Sequence, residues 1–353
     1  MSKEPLYPPF HCSCTPQVVD LLRKLNCSLA ITTFQAGKVI FISSHNEDSL
    51  VQMTRSFEKP MGIALKDDRL VVSTKGEIIH FKGSKELAMA YPKKPQVYDM
   101  MYVPVTTKHT GNLDIHDIAF VDDKLHAVIT SFSCIAEIND EHHFTPIWRP
   151  SFITELSSED RCHLNGMVVD NNEIKYVTAL GESNKRLGWR ENLIKGGILI
   201  DYSSKEIIAR NLPIPHSPRI YNNKLYLLLS ATSELITLDP SNGKTETIYQ
   251  GSGFFRGMVE YEGYIFIGVS KLRKTSTSFS ELAKSNNVKK AGIIVIHAET
   301  GAFCGEIKYE SSVDEIYEVQ VLPDIIRPNI LNTRDDIHKM ALALPNSTFW
   351  AET

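Results

Sequence analysis

Short apolar runs, joined in pairs by two polar turn residues, recur along most of this chain. Met61-Gly62-Ile63-Ala64-Leu65 leads through Asp67-Asp68 into Leu70-Val71-Val72-Ser73. His116-Asp117-Ile118-Ala119-Phe120 leads through Asp122-Asp123 into 125–129, and Asn165-Gly166-Met167-Val168-Val169 through Asn171-Asn172 into 174–178. His216-Ser217-Pro218-Arg219-Ile220 leads through Asn222-Asn223 into 225–229, and Arg256-Gly257-Met258-Val259-Glu260 through Glu262-Gly263 into 265–269. Each unit reads as a strand, a two-residue hairpin turn and a second strand. Tyr317-Glu318-Val319-Gln320-Val321 opens a sixth copy without a following hairpin.

The copies begin at 61, 116, 165, 216, 256 and 317, close to the spacing of about 40–50 residues expected of four-stranded propeller blades. Third and fourth strands follow the same logic at 234–239 and 245–249, and again at 292–297 and 303–307. The β-prone runs 28–33, 38–43 and 50–57 complete the orphan sixth copy, which closes the ring and removes open sheet edges. The pattern therefore predicts an all-β, six-bladed β-propeller. Seven blades is the nearest alternative count, because 27–60 has room for a full blade. A two-domain sandwich fits poorly, since the spacing is too long for a simple hairpin meander. Ahead of the ring, Thr15-Pro16 reads as an N-cap followed by proline at the first helical position. Val18, Leu21, Leu22 and Leu25 then follow at helical spacing, predicting one short helix over 16–25. The domain reading is a Pro-rich N-terminal arm and helix over 1–26, a propeller over 27–323 and a C-terminal tail over 324–353 that packs on the ring or trails from it.

Antiparallel blades place the start of the first strand and the loop between strands two and three at the same end. The residues opening the first strands are Met61, His116, Asn165, His216, Arg256 and Tyr317, and four of these are strongly polar where a structural ring would be small or apolar. The longest insertions, 181–190 with Trp189 and Arg190 and 271–290 with Arg273, leave from that same end. His116, His216 and His163 are the acid/base candidates, since imidazole titrates near neutrality. Asn165, Arg219, Arg256, Trp189, Arg190 and Arg273 are the ligand-binding candidates: arginines hold an anion, and the Trp189-Arg190 pair closes over it. His163 and Asn165, two apart, share a strand face. Arg161 adds a fifth arginine to the expected cluster at the mouth. No cofactor is expected. A divalent metal held by His116, His163 and His216 is the weaker alternative.

Composition narrows the partners. The 353 residues are 42% hydrophobic and 23% charged with a net charge of −4, which gives nucleic acid no electrostatic support. No apolar run approaches the roughly 20 residues of a membrane span, and the N-terminal residues lack the apolar core of a signal peptide. A cytoplasmic protein with six reduced cysteines is expected, without membrane or nucleic-acid partners. No nucleophile elbow, phosphate-binding loop, dinucleotide fingerprint, zinc-protease helix or calcium loop is present.

The stretches Cys27-Ser28-Leu29-Ala30-Ile31-Thr32-Thr33-Phe34-Gln35-Ala36-Gly37-Lys38, Arg161-Cys162-His163-Leu164-Asn165-Gly166, Gly188-Trp189-Arg190, Pro215-His216-Ser217-Pro218-Arg219, Phe255-Arg256-Gly257 and Gly268-Val269-Ser270-Lys271-Leu272-Arg273 resemble an uncharacterised, mainly bacterial propeller-like family. Some of its members are fused to tetratricopeptide repeats. The resemblance covers roughly 27–325 and implies the fold but no activity. This chain has Phe34 where the resemblance implies tyrosine.

Two functions follow. One is a small-molecule site at the channel mouth that binds, and as a lyase, isomerase or hydrolase acts on, a small polar anionic molecule such as a sugar- or peptide-derived acid. The other is a non-catalytic scaffold whose top loops dock a protein partner through exposed aromatic anchors.

Overall fold

The computed structural model describes residues 7–271 and 288–351. Six sheets form a ring in which the innermost strands are neighbours in chain order. The first blade consists of Ile63–Lys66, Arg69–Ser73, Glu77–Ser84 and Met100–His109. The second is Ile115–Val121, Lys124–Ile129, Cys134–Ile138 and Thr145–Trp148. The third is Leu164–Asp170, Glu173–Ala179, Gly197–Asp201 and Ile207–Leu212. The fourth runs Pro215–Tyr221, Lys224–Leu229, Glu234–Leu238 and Thr245–Gln250. The fifth runs Phe254–Tyr261, Tyr264–Ser270, Gly292–His297 and Phe303–Tyr309.

Closure joins the two ends of the chain. Glu318–Pro323 is the innermost strand of the sixth blade, and Cys27–Thr33, Lys38–Ser44 and Leu50–Ser56 supply its other three. The register pairs Cys27 with Pro323 and Thr32 with Glu318, so the ring has six blades rather than seven. Separating those strands would break a whole blade, which ties the fold's integrity to contacts between residues nearly 300 positions apart. The five hairpins turn at Asp67, Asp122, Asn171-Asn172, Asn222-Asn223 and Glu262-Gly263, all at positive φ. That conformation costs Asp and Asn little.

Apolar side chains fill the spaces between neighbouring blades. Val71, Ile78 and Met61 of the first blade, for example, pack with Ile118, Leu125 and Ala127 of the second. Burying each such side chain stabilises the fold by about 1.5–3 kcal/mol. The helix Pro16–Lys24 buries Val18, Val19, Leu21 and Leu22 against Phe303–Tyr309 of the fifth blade and the two middle strands of the sixth. Thr15 does not cap it in the expected way. Its Oγ1 accepts instead from Glu306 N at 3.0 Å and pins the helix to the fifth blade. The arm is part of the ring: Cys12–Cys14 pairs with 307–309 as a fifth strand of that blade. Pro328–Ile330 likewise pairs parallel with Met100–Tyr102 of the first blade. A hairpin, Ala341–Leu344 with Ser347–Trp350, packs beyond it, and Trp350 Nε1 donates to Leu87 O at 3.0 Å. Among the described residues no helix is long and apolar enough to cross a membrane.

Candidate functional site

Every second strand ends on a buried hydroxyl: Ser73, Thr130, Thr178, Ser230, Ser270 and Thr32. Four of these donate directly to a backbone carbonyl at the start of the next blade. Thr130 Oγ1 reaches Leu164 O at 2.5 Å, Ser230 Oγ reaches Phe255 O at 2.6 Å, Ser270 Oγ reaches Ile316 O at 3.1 Å, and Thr32 Oγ1 bonds Met61 O. Thr178 acts through an intermediary. It donates to Asn165 Oδ1 at 2.7 Å, and Asn165 Nδ2 donates to Pro215 O at 2.9 Å. Ser73 stays in its own blade and accepts from Gly62 N at 2.9 Å. Neighbouring blades are thus stapled by buried hydrogen bonds, each worth a net contribution of about 0.5–1.5 kcal/mol. The signal in the sequence is a Ser or Thr at the close of each second strand, which the first-strand openings alone do not reveal.

The staples set the residues that open the first strands. In four blades the innermost strand carries an irregularity at that place: between Val128 and Ile129 opposite His116, at Asn165, after His216, and at Arg256-Gly257. Such bulges re-aim a side chain without ending the ladder. Gly257 is required there, since a Cβ at its φ of 76° would meet Glu318 Cα at 2.8 Å. Asn165 spends its amide on the staple. His116 (8% exposed) donates from Nδ1 to Thr130 Oγ1 at 2.8 Å, and His216 (4% exposed) from Nδ1 to Ser230 Oγ at 2.8 Å. Because each hydroxyl has already given its proton to a carbonyl, the imidazole must supply the proton on Nδ1. Nε2 is then a bare acceptor, and within the described residues it has no partner on either ring. Burial first, then the charges of His163 and Arg256, hold His116 neutral well below the ordinary imidazole range. His216 is held neutral by burial, then by Arg256, His116 and His163.

His163 does not share a face with Asn165. Its φ of 51° puts it in the left-handed region just ahead of the strand, so it turns toward the long loop instead. Its Nδ1 lies 2.9 Å from Asp160 Oδ2, which also accepts from Trp189 Nε1 at 2.9 Å. The His163 ring lies 4.3 Å from the Trp189 ring and 4.8 Å from the His116 ring. Trp189 is therefore a buried wall beside the histidines, packed on Leu180, Ile214 and Phe254, and no exposed lid. Arg190 is exposed, its guanidinium 5.1 Å from the centroid of the indole. Tyr317 completes the row: its ring is 5.8 Å from His116, and the Arg256 guanidinium lies 3.4 Å from its centroid.

The described arginines do not gather at the mouth as a clamp. Arg161 braces its loop through Glu155 and Glu159, both at 2.7 Å. Arg219 sits three residues deeper along its strand than His216, 3.5 Å from both Asp117 Oδ2 and Glu318 Oε2. Burial drives both carboxyls upward while Arg219 draws them back. That triad separates the histidine end from a cavity of about 430 Å³ at the hairpin end, lined by Lys66, Asp117, Phe120, Arg219, Tyr221 and Gln320 among others. Arg273 lies outside the described residues. Among the described arginines, Arg256 is the one whose charge acts on both His116 and His216.

Among the described residues no group of three or more His, Cys, Asp or Glu side chains is placed to hold a metal ion. All six cysteines are free. Burial pushes the Cys134 and Cys162 thiols up to about 12.

Among curated proteins none matches this chain in sequence. The ring is similar to a chain in the crystal structure of a nidogen/laminin complex, with a TM-score of 0.56 and 13% identity over 84% of this chain and 99% of that one; a likeness at that identity speaks for the fold alone. Residues 16–331 match the model of a family described as a domain of unknown function, DUF4915. The chain belongs to that family.

Proposed function

We propose that the histidine end of the channel binds a small polar anion, a sugar- or peptide-derived acid, and that His116 and His216 exchange protons with it. The observation that carries this reading is the pair of neutral imidazoles, each tied at Nδ1 and, among the described residues, without a partner at Nε2, beside the Arg256 guanidinium. Arg256 offers only donors and a positive charge, which suits the anionic group. The two Nε2 atoms offer only acceptors, which suit hydroxyl or amine protons of the same molecule. A carboxylate neutralised by Arg256 makes neighbouring protons easier to remove, so acid–base chemistry beside it, of the isomerase or lyase kind, is the reaction that fits.

Docking through aromatic anchors has less support. Among the described residues the exposed large aromatics are Tyr7, Phe303 and Phe349, which lie on the arm, an outer strand and the C-terminal hairpin.

The experiment is thermal denaturation with gluconate, glucuronate or N-acetyl amino acids, set against their uncharged parents. The acids should raise the melting temperature of the wild type and leave that of Arg256→Ala unmoved, with the variant itself as stable as its parent. If the uncharged parents stabilise equally, the reading fails. It also fails if Arg256→Ala alone costs about 1–3 kcal/mol, the mark of a side chain buried in an internal plug.

A further inference from the structure

Tyr317 opens the innermost strand of the sixth blade and is 4% exposed, yet its hydroxyl has no hydrogen-bond partner. It is one of four buried side-chain polar atoms in that condition among the described residues. An unpaired buried hydroxyl destabilises a fold, and a phenylalanine of the same shape would avoid that cost. The ring itself is fully engaged. Arg256 covers it at 3.4 Å, Phe34 stacks at 6.1 Å with its planes 27° apart, and His116 meets it at 5.8 Å. Lys59 lies over the Phe34 ring at 5.1 Å. A guanidinium and a phenol, both donors, therefore lie together beside the His116 ring.

We infer that the Tyr317 hydroxyl contacts the ligand, pairing with Arg256 on a carboxylate, so that the ligand is a hydroxycarboxylate whose hydroxyls donate to the His116 and His216 Nε2 atoms. This rests on the ligand-site reading above and narrows it. A planar carboxylate offers one oxygen to the phenol and one to the guanidinium. A phosphate dianion calls for a second cation, and among the described residues Lys59 lies over Phe34 instead. A simple carboxylate would leave the imidazole acceptors empty, and a neutral polyol would leave Arg256 empty.

Tyr317→Phe tests this because it removes the hydroxyl and keeps the ring under Arg256. The melting temperature of the unliganded variant should equal or exceed that of the wild type, since no internal bond is lost. Gluconate should bind the wild type more tightly than acetate or sorbitol, and the variant about tenfold more weakly than the wild type. A lower melting temperature in the unliganded variant would show that the hydroxyl has an internal partner and overturn the inference. Equal gluconate affinity in wild type and Tyr317→Phe would overturn it too, while leaving the anion site intact if Arg256→Ala still abolishes binding. Failure of gluconate and glucuronate alike to bind the wild type would overturn the hydroxycarboxylate assignment together with the site it rests on.

Discussion

Ser230 holds His216 from one side and the fifth blade from the other: its Oγ accepts from the imidazole Nδ1 at 2.8 Å and donates to Phe255 O at 2.6 Å. One hydroxyl thereby sets the tautomer of a candidate base and the seam between two blades. Thr130 stands in the same relation to His116 and Leu164 O, at 2.8 and 2.5 Å. The part that stabilises the ring also prepares the rings that face its channel.

Ser230→Ala should cost about 1–3 kcal/mol, because it strands both the Phe255 carbonyl and the His216 Nδ1 in a buried place. Urea denaturation of the variant measures the loss. Stability unchanged within error would mean that the staple bears no load.

Arg219 and Arg256 should answer substitution in opposite ways. Removing the Arg219 charge with Arg219→Met leaves Asp117 and Glu318 buried without their shared cation. That should destabilise the fold by about 3–5 kcal/mol at neutral pH. Acidification should return part of the loss, since burial already drives both carboxyls upward. A variant as stable as the wild type at neutral pH would refute the triad's role.

Acid should weaken the fold through the two channel histidines. In the unfolded chain each titrates near 6.5, whereas in the fold each stays neutral well below that value. As pH falls through 6.5 the unfolded chain takes up protons that the folded one does not, so stability drops. The contribution is whole above 6.5 and is lost progressively beneath it, at up to about 2.7 kcal/mol per pH unit for the pair. Denaturation of the wild type and of the His116→Asn/His216→Asn double variant between about pH 7.5 and 5 isolates this, as the buried carboxyls are common to both. Parallel pH curves for the two proteins would contradict it.

The ring was legible because hairpin turns are local. Asp67-Asp68 and Asn222-Asn223 announce themselves in a few residues, and equal spacing from those turns named His116, Asn165, His216 and Arg256 as equivalents. What each does was not legible, because partners come from other blades. Arg219 and Arg256 look alike in sequence, yet three residues of depth along a strand put the first between two carboxyls and leave the second at the mouth. Asn165 has the same chemistry as a ligand contact and is consumed by a staple. Tyr317 stands at a repeat position without being strongly polar, and Asp160 lies outside those positions; only the folded neighbourhood shows an orphaned hydroxyl and a carboxylate shared by His163 and Trp189.

The central claim is that His116 and His216 are neutral, with the proton on Nδ1 and a bare Nε2 facing ligand. Long-range proton–nitrogen correlation NMR of the histidine rings near pH 7.5 reads this directly, with His116→Asn and His216→Asn assigning the signals. Both rings should show a protonated Nδ1 and an unprotonated Nε2, and the Nε2 signals should move when gluconate is added. A proton resident on Nε2, or the averaged tautomers of a free imidazole, would contradict the account.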